Sequence, residues 1–338
     1  MYPALALQPA YPPAQFTEMV VRAEELGIQD LWLTDSSLHS RYCYSYLTLA
    51  ATNTSTMRLG TAVTNPVTRH PALGAVGIST IDEISGGRAV HGIGAGDRPL
   101  EALGLKPARL ALLEDSISAA RHLWTGESVT MQGHGFTLDD AHLRYTSRPD
   151  IPVYISASGP KTLELSGRIA DGVILLAGLH PDGIEYALEH IDRGAEMAGR
   201  DRRPHVTVFA YGAISEDEDA ALAQGRSIAA WFPQTAPVYC KIAGLPDELV
   251  QQVRDIYSGG EFQEAAQAAD LLPDDFVRRM ALSGNRAAAL EHLHTLDSLG
   301  VDSVAVFPIG GTQETKASTI EEFALAFEEF TASKEVPA

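Results

Sequence analysis

The sequence predicts an α/β protein, a single (β/α)8 barrel, and three observations point to it. Short apolar runs of strand length alternate with longer segments of helical period from one end of the chain to the other, as repeated βα units around a parallel sheet require. Its 338 residues lie within the length that such barrels reach as one unit. No internal repeat, low-complexity tract or linker separates two halves, so residues 1–338 are expected to form one domain.

The elements follow in order. Ala4 to Leu7 opens as a strand; then Phe16, Met19, Val20 and Ala23 lay an apolar stripe on a helix that Gly27 can end in a left-handed cap. Asp30 to Thr34 reads as the second strand, Tyr44 to Asn53 as a helix and Met57 to Val63 as the third strand. Pro71 to Ile84 is helical, Gly86-Gly87 is a turn, and Arg88 to Ile93 is the fourth strand. A helix carrying Leu110, Leu113, Ile117, Ala120 and Leu123 ends near Gly126. Ser128 to Tyr145 then reads as a hairpin excursion turning at His134-Gly135, outside the barrel.

The barrel resumes with strands at Val153 to Ser156, Gly172 to Leu176 and His205 to Ala213, separated by helices from Pro160 to Ile169 and from Asp182 to Ala198. Glu216 to Met280 is mainly helical and offers no barrel strand, so it is expected to be an insertion (about 216–280) over one end of the barrel, between strands seven and eight. Asn285 caps a helix with Leu290, Leu293 and Leu296, Gly300 stops it, and Val304 to Phe307 supplies strand eight. Ser318-Thr319-Ile320-Glu321 has the form of a capping box opening the last helix.

Composition narrows the function. Hydrophobic residues make up 45% and charged residues 20%, values that suit a chain folded throughout. With 25 basic and 44 acidic residues the net charge is −19, which sets the chain against nucleic acid and against an anionic membrane. Cys43 and Cys240 cannot form a stapled framework, and Met1 to Gln8 lacks the pattern of an export signal, so a reducing cytoplasm is expected. No metal-ligand spacing such as HExxH or paired CxxC occurs, and a GxSxG nucleophile elbow is missing, so metal-assisted and acyl-transfer hydrolysis have no support.

Active sites of such barrels lie at the C-terminal ends of the strands. Four segments there stand out: Thr34-Asp35-Ser36, Ala62-Val63-Thr64-Asn65-Pro66, Gly94-Ala95-Gly96-Asp97 and Ser158-Gly159-Pro160-Lys161-Thr162. The last exposes amide donors and the positive end of a helix dipole to an anion above it; the alternative is an ordinary turn with Pro160 at the first helical position. Gly92-Ile93-Gly94-Ala95-Gly96 fails the dinucleotide fingerprint because Asp97 follows, yet its glycines permit close approach of a planar ring or a phosphate; the alternative is a tight strand-to-loop transition. Asp35 and Asp97 are both expected at the barrel mouth, where repulsion between carboxylates suits one of them to proton handling, with the Ser36 hydroxyl beside them; His39 and His70 are further candidates.

Together these segments resemble the bacterial luciferase-like superfamily, in particular its F420-dependent reductases similar to methylenetetrahydromethanopterin reductase. The resemblance spans nearly the whole chain and rests on Leu59 to Pro71, Gly92 to Asp97 with Leu103-Gly104, and Ser156 to Thr162 with Gly167 to Val173. It implies a hydride-transferring oxidoreductase that binds coenzyme F420 (FMN being the alternative) and acts on a small organic substrate. The resemblance further implies a non-prolyl cis bond between Ala62 and Val63, forming a bulge behind the cofactor ring. Asn65, Ala95, Gly96, Gly159 and Pro160 would join that pair in holding the cofactor, Asp35 and Asp97 would serve the substrate, and the chain would pair as a homodimer; position in the same segments, not the resemblance, adds Ser158 to the cofactor set and the Ser36 hydroxyl to the substrate side. Two departures point away from the relatives' substrates: Ser36 stands where sugar-phosphate dehydrogenases carry histidine, and Gln8 where the methanopterin reductases carry an acidic residue.

Overall fold

The computed structural model describes residues 1–36, 38–258 and 265–335. The first half of the barrel contains β1 (Tyr2–Leu7), α1 (Pro13–Glu25), β2 (Asp30–Leu33), α2 (Cys43–Asn53), β3 (Arg58–Thr61), α3 (Pro71–Ser85) and β4 (Ala89–Ile93). A short α4 (Arg98–Glu101) and a longer α5 (Leu110–Trp124) lead to the hairpin β5 (Val129–Gly133) and β6 (Phe136–Ala141). The barrel continues through β7 (Val153–Ala157), α6 (Pro160–Ile169), β8 (Gly172–Leu175), α7 (Pro181–Met197) and β9 (His205–Ile214). Among the described residues six helices follow: α8 (Glu218–Ala229), α9 (Phe232–Thr235), α10 (Pro237–Ile242), α11 (Asp247–Ile256), α12 (Ala266–Ala269) and α13 (Asp274–Met280). The chain ends with β10 (Leu282–Gly284), α14 (Arg286–Ser298), β11 (Ser303–Pro308) and α15 (Gln313–Glu335).

Eight strands close into a parallel barrel in the order β9, β11, β1, β2, β3, β4, β7, β8, and β8 pairs back with β9. The expected (β/α)8 architecture is therefore the observed one, with the hairpin outside it and the helical segment between the seventh and eighth barrel strands. Local signals work as read at several joints. Gly27 ends α1 at φ +81°, and the Asn285 Oδ1 accepts from the Ala288 amide at 3.0 Å to cap α14.

Three local expectations need correction. The last helix starts at Gln313, five residues before the Ser318–Glu321 box. Thr312 does the capping, its Oγ1 accepting from the Thr315 amide at 3.2 Å, while Thr319 lies inside the helix, donating to the Thr315 carbonyl and accepting from the Ile214 amide. Strand three stops at Thr61 because the bulge begins at Ala62. Finally, β10 was not expected: three residues carry no readable period, and it forms by extending the ladder along the far end of β9, Leu282 opposite Gly212.

Most of the core lies between the strands and the helices around them, from Leu5, Leu31 and Leu59 out to Phe16, Leu47 and Ile78. Inside the barrel, Trp32, Val90, Tyr154, Ile174 and Phe209 fill the space between Ala4, Ala6 and Ala305. Trp32 lies so close to Gly60 that a Cβ there would come within 2.3 Å of its ring. Below this layer Asp30 accepts from Tyr2 at 3.0 Å and from Arg58 at 2.7 Å, closing the N-terminal end with polar side chains. Outside the sheet, burial against Trp124 pushes the His91 imidazole down to about 4, so it is neutral at physiological pH. The barrel is thus filled below and open at the C-terminal ends of its strands.

Candidate active site

A cavity of about 380 Å³ occupies that open end. The loops after β2, β3, β4 and β7 all reach it, bringing Asp35 and Ser36 together with Ala62, Val63 and Asn65. Ala95, Gly96 and Asp97 line it from the loop after β4, and Ser158 and Gly159 from the loop after β7. Pro160 is exposed and does not line it; its position is the first residue of α6, the ordinary helix-start alternative. Of the two histidine candidates His39 lines the cavity, whereas His70 accepts from the Ala72 amide at the start of α3.

The Ala62–Val63 peptide bond is cis, as the resemblance implied. Around it, the Ala62 amide donates to the Leu33 carbonyl, the Thr64 amide to the Gly92 carbonyl and the Gly94 amide to the Thr64 carbonyl, at 2.7–3.0 Å. These bonds fix the bulge to both neighbouring strands. Gly92 and Gly94 make the fit possible: a Cβ on Gly92 would lie 1.7 Å from the Thr61 carbonyl oxygen, and one on Gly94 would lie 2.7 Å from the Val63 side chain. Neither reading made for these glycines accounts for Gly92, which lies within β4 and meets the Thr61 backbone instead.

Asp35 stands in a different setting from the expected one. Its carboxylate faces Arg69, which donates through both terminal nitrogens, the Nη2 contact measuring 2.9 Å, and Thr64 adds a hydrogen bond at 2.9 Å. Arg69 in turn lies over the rings of Tyr42 and Tyr44, 4.9 and 5.1 Å from their centroids. Burial works to lower the Arg69 pKa, but the Asp35 charge outweighs it and holds the guanidinium above its usual value. Tyr44 is raised, first by burial and then by the same carboxylate. The repulsion imagined between two carboxylates is thus replaced by an ion pair, while Asp97 sits exposed on the rim. Arg69 was missed as a site residue; its only signal was the short run Thr64-Asn65-Pro66-Val67-Thr68-Arg69.

Asn65 spends its Oδ1 on the loop itself, accepting from the Val67 and Thr68 amides at 3.0 and 2.8 Å, which leaves Nδ2 as its remaining polar group. At α6, the N-cap Gly159 has no side chain to occupy the first turn, and a Cβ built on it would meet nothing within 4 Å. Tyr239 from α10 anchors this loop by donating to the Ser158 carbonyl at 2.8 Å. The opposite wall is aromatic, with Phe209, Tyr211 and Phe307 on strands and Trp231 from the helical insertion. None of these four was singled out in the sequence; Phe209 and Tyr211, two apart on one strand, share its inward face, whereas Trp231 had no local signal. Among the described residues no group of side chains could hold a metal ion, and no helix is long and apolar enough to cross a membrane.

A closed parallel barrel, plugged at one end and carrying a loop-built ligand cavity at the other, defines the class as a (β/α)8 barrel with an enzyme-type site. The chain matches the luciferase-like monooxygenase family model over residues 3–303 and belongs to that family. It is 34% identical to 5,10-methylenetetrahydromethanopterin reductase of Methanolobus tindarius, the match covering 90% of this chain and 94% of that one. It is 31% identical to an F420-dependent glucose-6-phosphate dehydrogenase of Amycolatopsis mediterranei, over 89% and 90% of the two chains. The solved coenzyme F420 dependent tetrahydromethanopterin reductase of Methanopyrus kandleri superposes with a TM-score of 0.86 at 27% identity, covering 97% of this chain and 99% of that one.

Proposed function

We propose that this chain is an oxidoreductase that binds coenzyme F420 and moves hydride between the deazaflavin and a small organic substrate. The observation that carries the reading is the convergence in one cavity of the Ala62–Val63 bulge, the Gly94–Gly96 segment and the uncapped start of α6. Relatives named for F420 match across nearly the full length of the chain.

The residues fit the group. Ala62 and Val63 give an apolar floor, Asn65 adds an amide donor, Ala95 and Gly96 bring bare backbone, and Ser158 with Gly159 would hold a phosphate at the positive end of α6. Deazaflavin chemistry supplies a ring carbon that takes up or releases hydride. The protein positions the partners and limits water: Trp231 and Thr235 of the insertion wall the mouth on one side. Asp35, held by Arg69 and Thr64, offers a fixed acceptor for a substrate hydroxyl or N–H. Ser36 adds a hydroxyl, and the exposed Asp97 exchanges protons with water. Methanopterins and sugar phosphates remain the relatives' substrates.

Titrating the purified protein with F420 and, separately, with FMN, followed by visible absorbance, tests the reading. Saturable F420 binding, tighter than FMN, is expected. Preference for FMN, or oxygen-dependent turnover with reduced FMN, would move the chain to monooxygenase chemistry. Binding of F420 with no hydride transfer across a substrate panel would leave a cofactor-binding barrel.

A homodimer is part of the same proposal. On α3, Leu73, Val76, Thr80 and Ile84 fall on one helical face, with Leu73 62% and Ile84 42% exposed. Sedimentation velocity is expected to show a dimer that Leu73→Glu converts to monomer; a wild-type monomer at all concentrations defeats the idea.

A further inference from the structure

We infer that the substrate half of the cavity is a stacking subsite in which Tyr211, Trp231 and Phe307 select flat, uncharged, ring-bearing compounds. The inference rests on the F420 reading only for where the cofactor lies. In the closed order β9, β11, β1, β2, β3, β4, β7, β8, strands β3 and β9 are four apart in either direction, so they stand opposite each other. A ring resting on the Ala62–Val63 bulge after β3 therefore faces the aromatic wall carried by β9, and a substrate between them is held from two flat sides.

The wall is built to be rigid. Tyr211 and Phe307 are direct partners in the β9–β11 ladder, with ring centroids 5.0 Å apart. Phe209 packs beneath both, at 5.7 and 5.9 Å, as part of the barrel filling. Trp231, 5% exposed, meets the Tyr211 ring edge-on at 6.0 Å and carries the wall up into the insertion. Tyr211 and Phe307 are only partly buried, and both line the cavity.

Planar faces at this spacing reward a ring that stacks or meets them edge-on, and give a saturated, hydrated sugar little. Beside the wall, from the loops after β1 and β2, Gln8 and Ser36 offer uncharged polar groups for the edge of such a molecule. Of the described side chains lining the cavity, His39 is the only basic one, and the nearby Arg69 guanidinium is committed to Asp35. Among the described side chains a phosphorylated substrate finds no partner there comparable to the aromatic wall.

Calorimetric titration of the full-length protein with menadione, a flat uncharged probe, and with glucose 6-phosphate tests this. Menadione is expected to bind saturably and glucose 6-phosphate not. Tyr211→Leu and Trp231→Leu should each weaken menadione about tenfold, while Trp231→Phe keeps the ring and most of the affinity. F420 affinity of the same variants should stay within about twofold of wild type, which also shows that they are folded. Glucose 6-phosphate binding as tightly as menadione, no menadione binding, or menadione affinity unchanged in both leucine variants would overturn the inference. Failure of the cofactor reading is separate: wild-type protein would then bind menadione but not F420.

Discussion

Replacing Arg69 with methionine is expected to destabilise the protein by about 3–5 kcal/mol, because it strands a buried carboxylate. Asp35 has 4% of its side chain exposed and Arg69 12%, so water cannot take over the role of the guanidinium. Thr64 would remain as a single neutral donor to one carboxylate oxygen. The substitution also empties the space beside the Tyr42 and Tyr44 rings. Arg69→Lys keeps the charge but cannot form the paired contact or lie flat on the rings, so an intermediate loss is expected. Adding Asp35→Asn to Arg69→Met removes the stranded charge and should recover much of the stability, giving a coupling of about 1–3 kcal/mol in a double-mutant cycle. Urea unfolding of the four proteins measures it. A loss under about 1 kcal/mol for Arg69→Met would show that the pair is a solvated surface contact.

That pair marks the limit of what the sequence shows. The barrel was legible because each βα unit advertises itself locally, through strand-length apolar runs and stripes such as Phe16, Met19, Val20 and Ala23. The mouth was legible because in this fold the strand ends converge, which brought Asp35, Val63, Asp97 and Gly159 to one cavity. Arg69 was not legible, since its meaning depends on a partner 34 positions away across two strands. Trp231 reaches the cavity only through the packing of short insertion helices. The Ser318–Glu321 box was a true local signal that lost, because Thr312 offered a cap earlier and Thr319 was needed against β9.

Gly92 shows the converse case, a residue whose type was readable and whose reason was not, and its replacement by alanine is expected to have the largest effect on folding. The added methyl would sit 1.7 Å from the Thr61 carbonyl oxygen, a backbone atom in a strand that cannot swing aside as a side chain does. The Gly92 carbonyl also accepts from the Thr61 hydroxyl at 2.5 Å and from the Thr64 amide at 3.0 Å, so separating the strands breaks the bonds that hold the bulge. The cost should be at least about 3 kcal/mol, with loss of soluble protein a natural result. Gly94→Ala presses on the Val63 side chain, at 2.7 Å, which can rotate, and meets Ser156 Cβ at an ordinary 3.5 Å, so the protein should fold but with an altered cavity floor. Gly311→Ala, where nothing lies within 4 Å, controls for the generic effect of a methyl group. The graded series, measured by urea unfolding, ties the glycines at the end of β4 to the bulge. If Gly92→Ala proves as stable as Gly311→Ala, strands β3 and β4 do not press together there, and the site must be built another way.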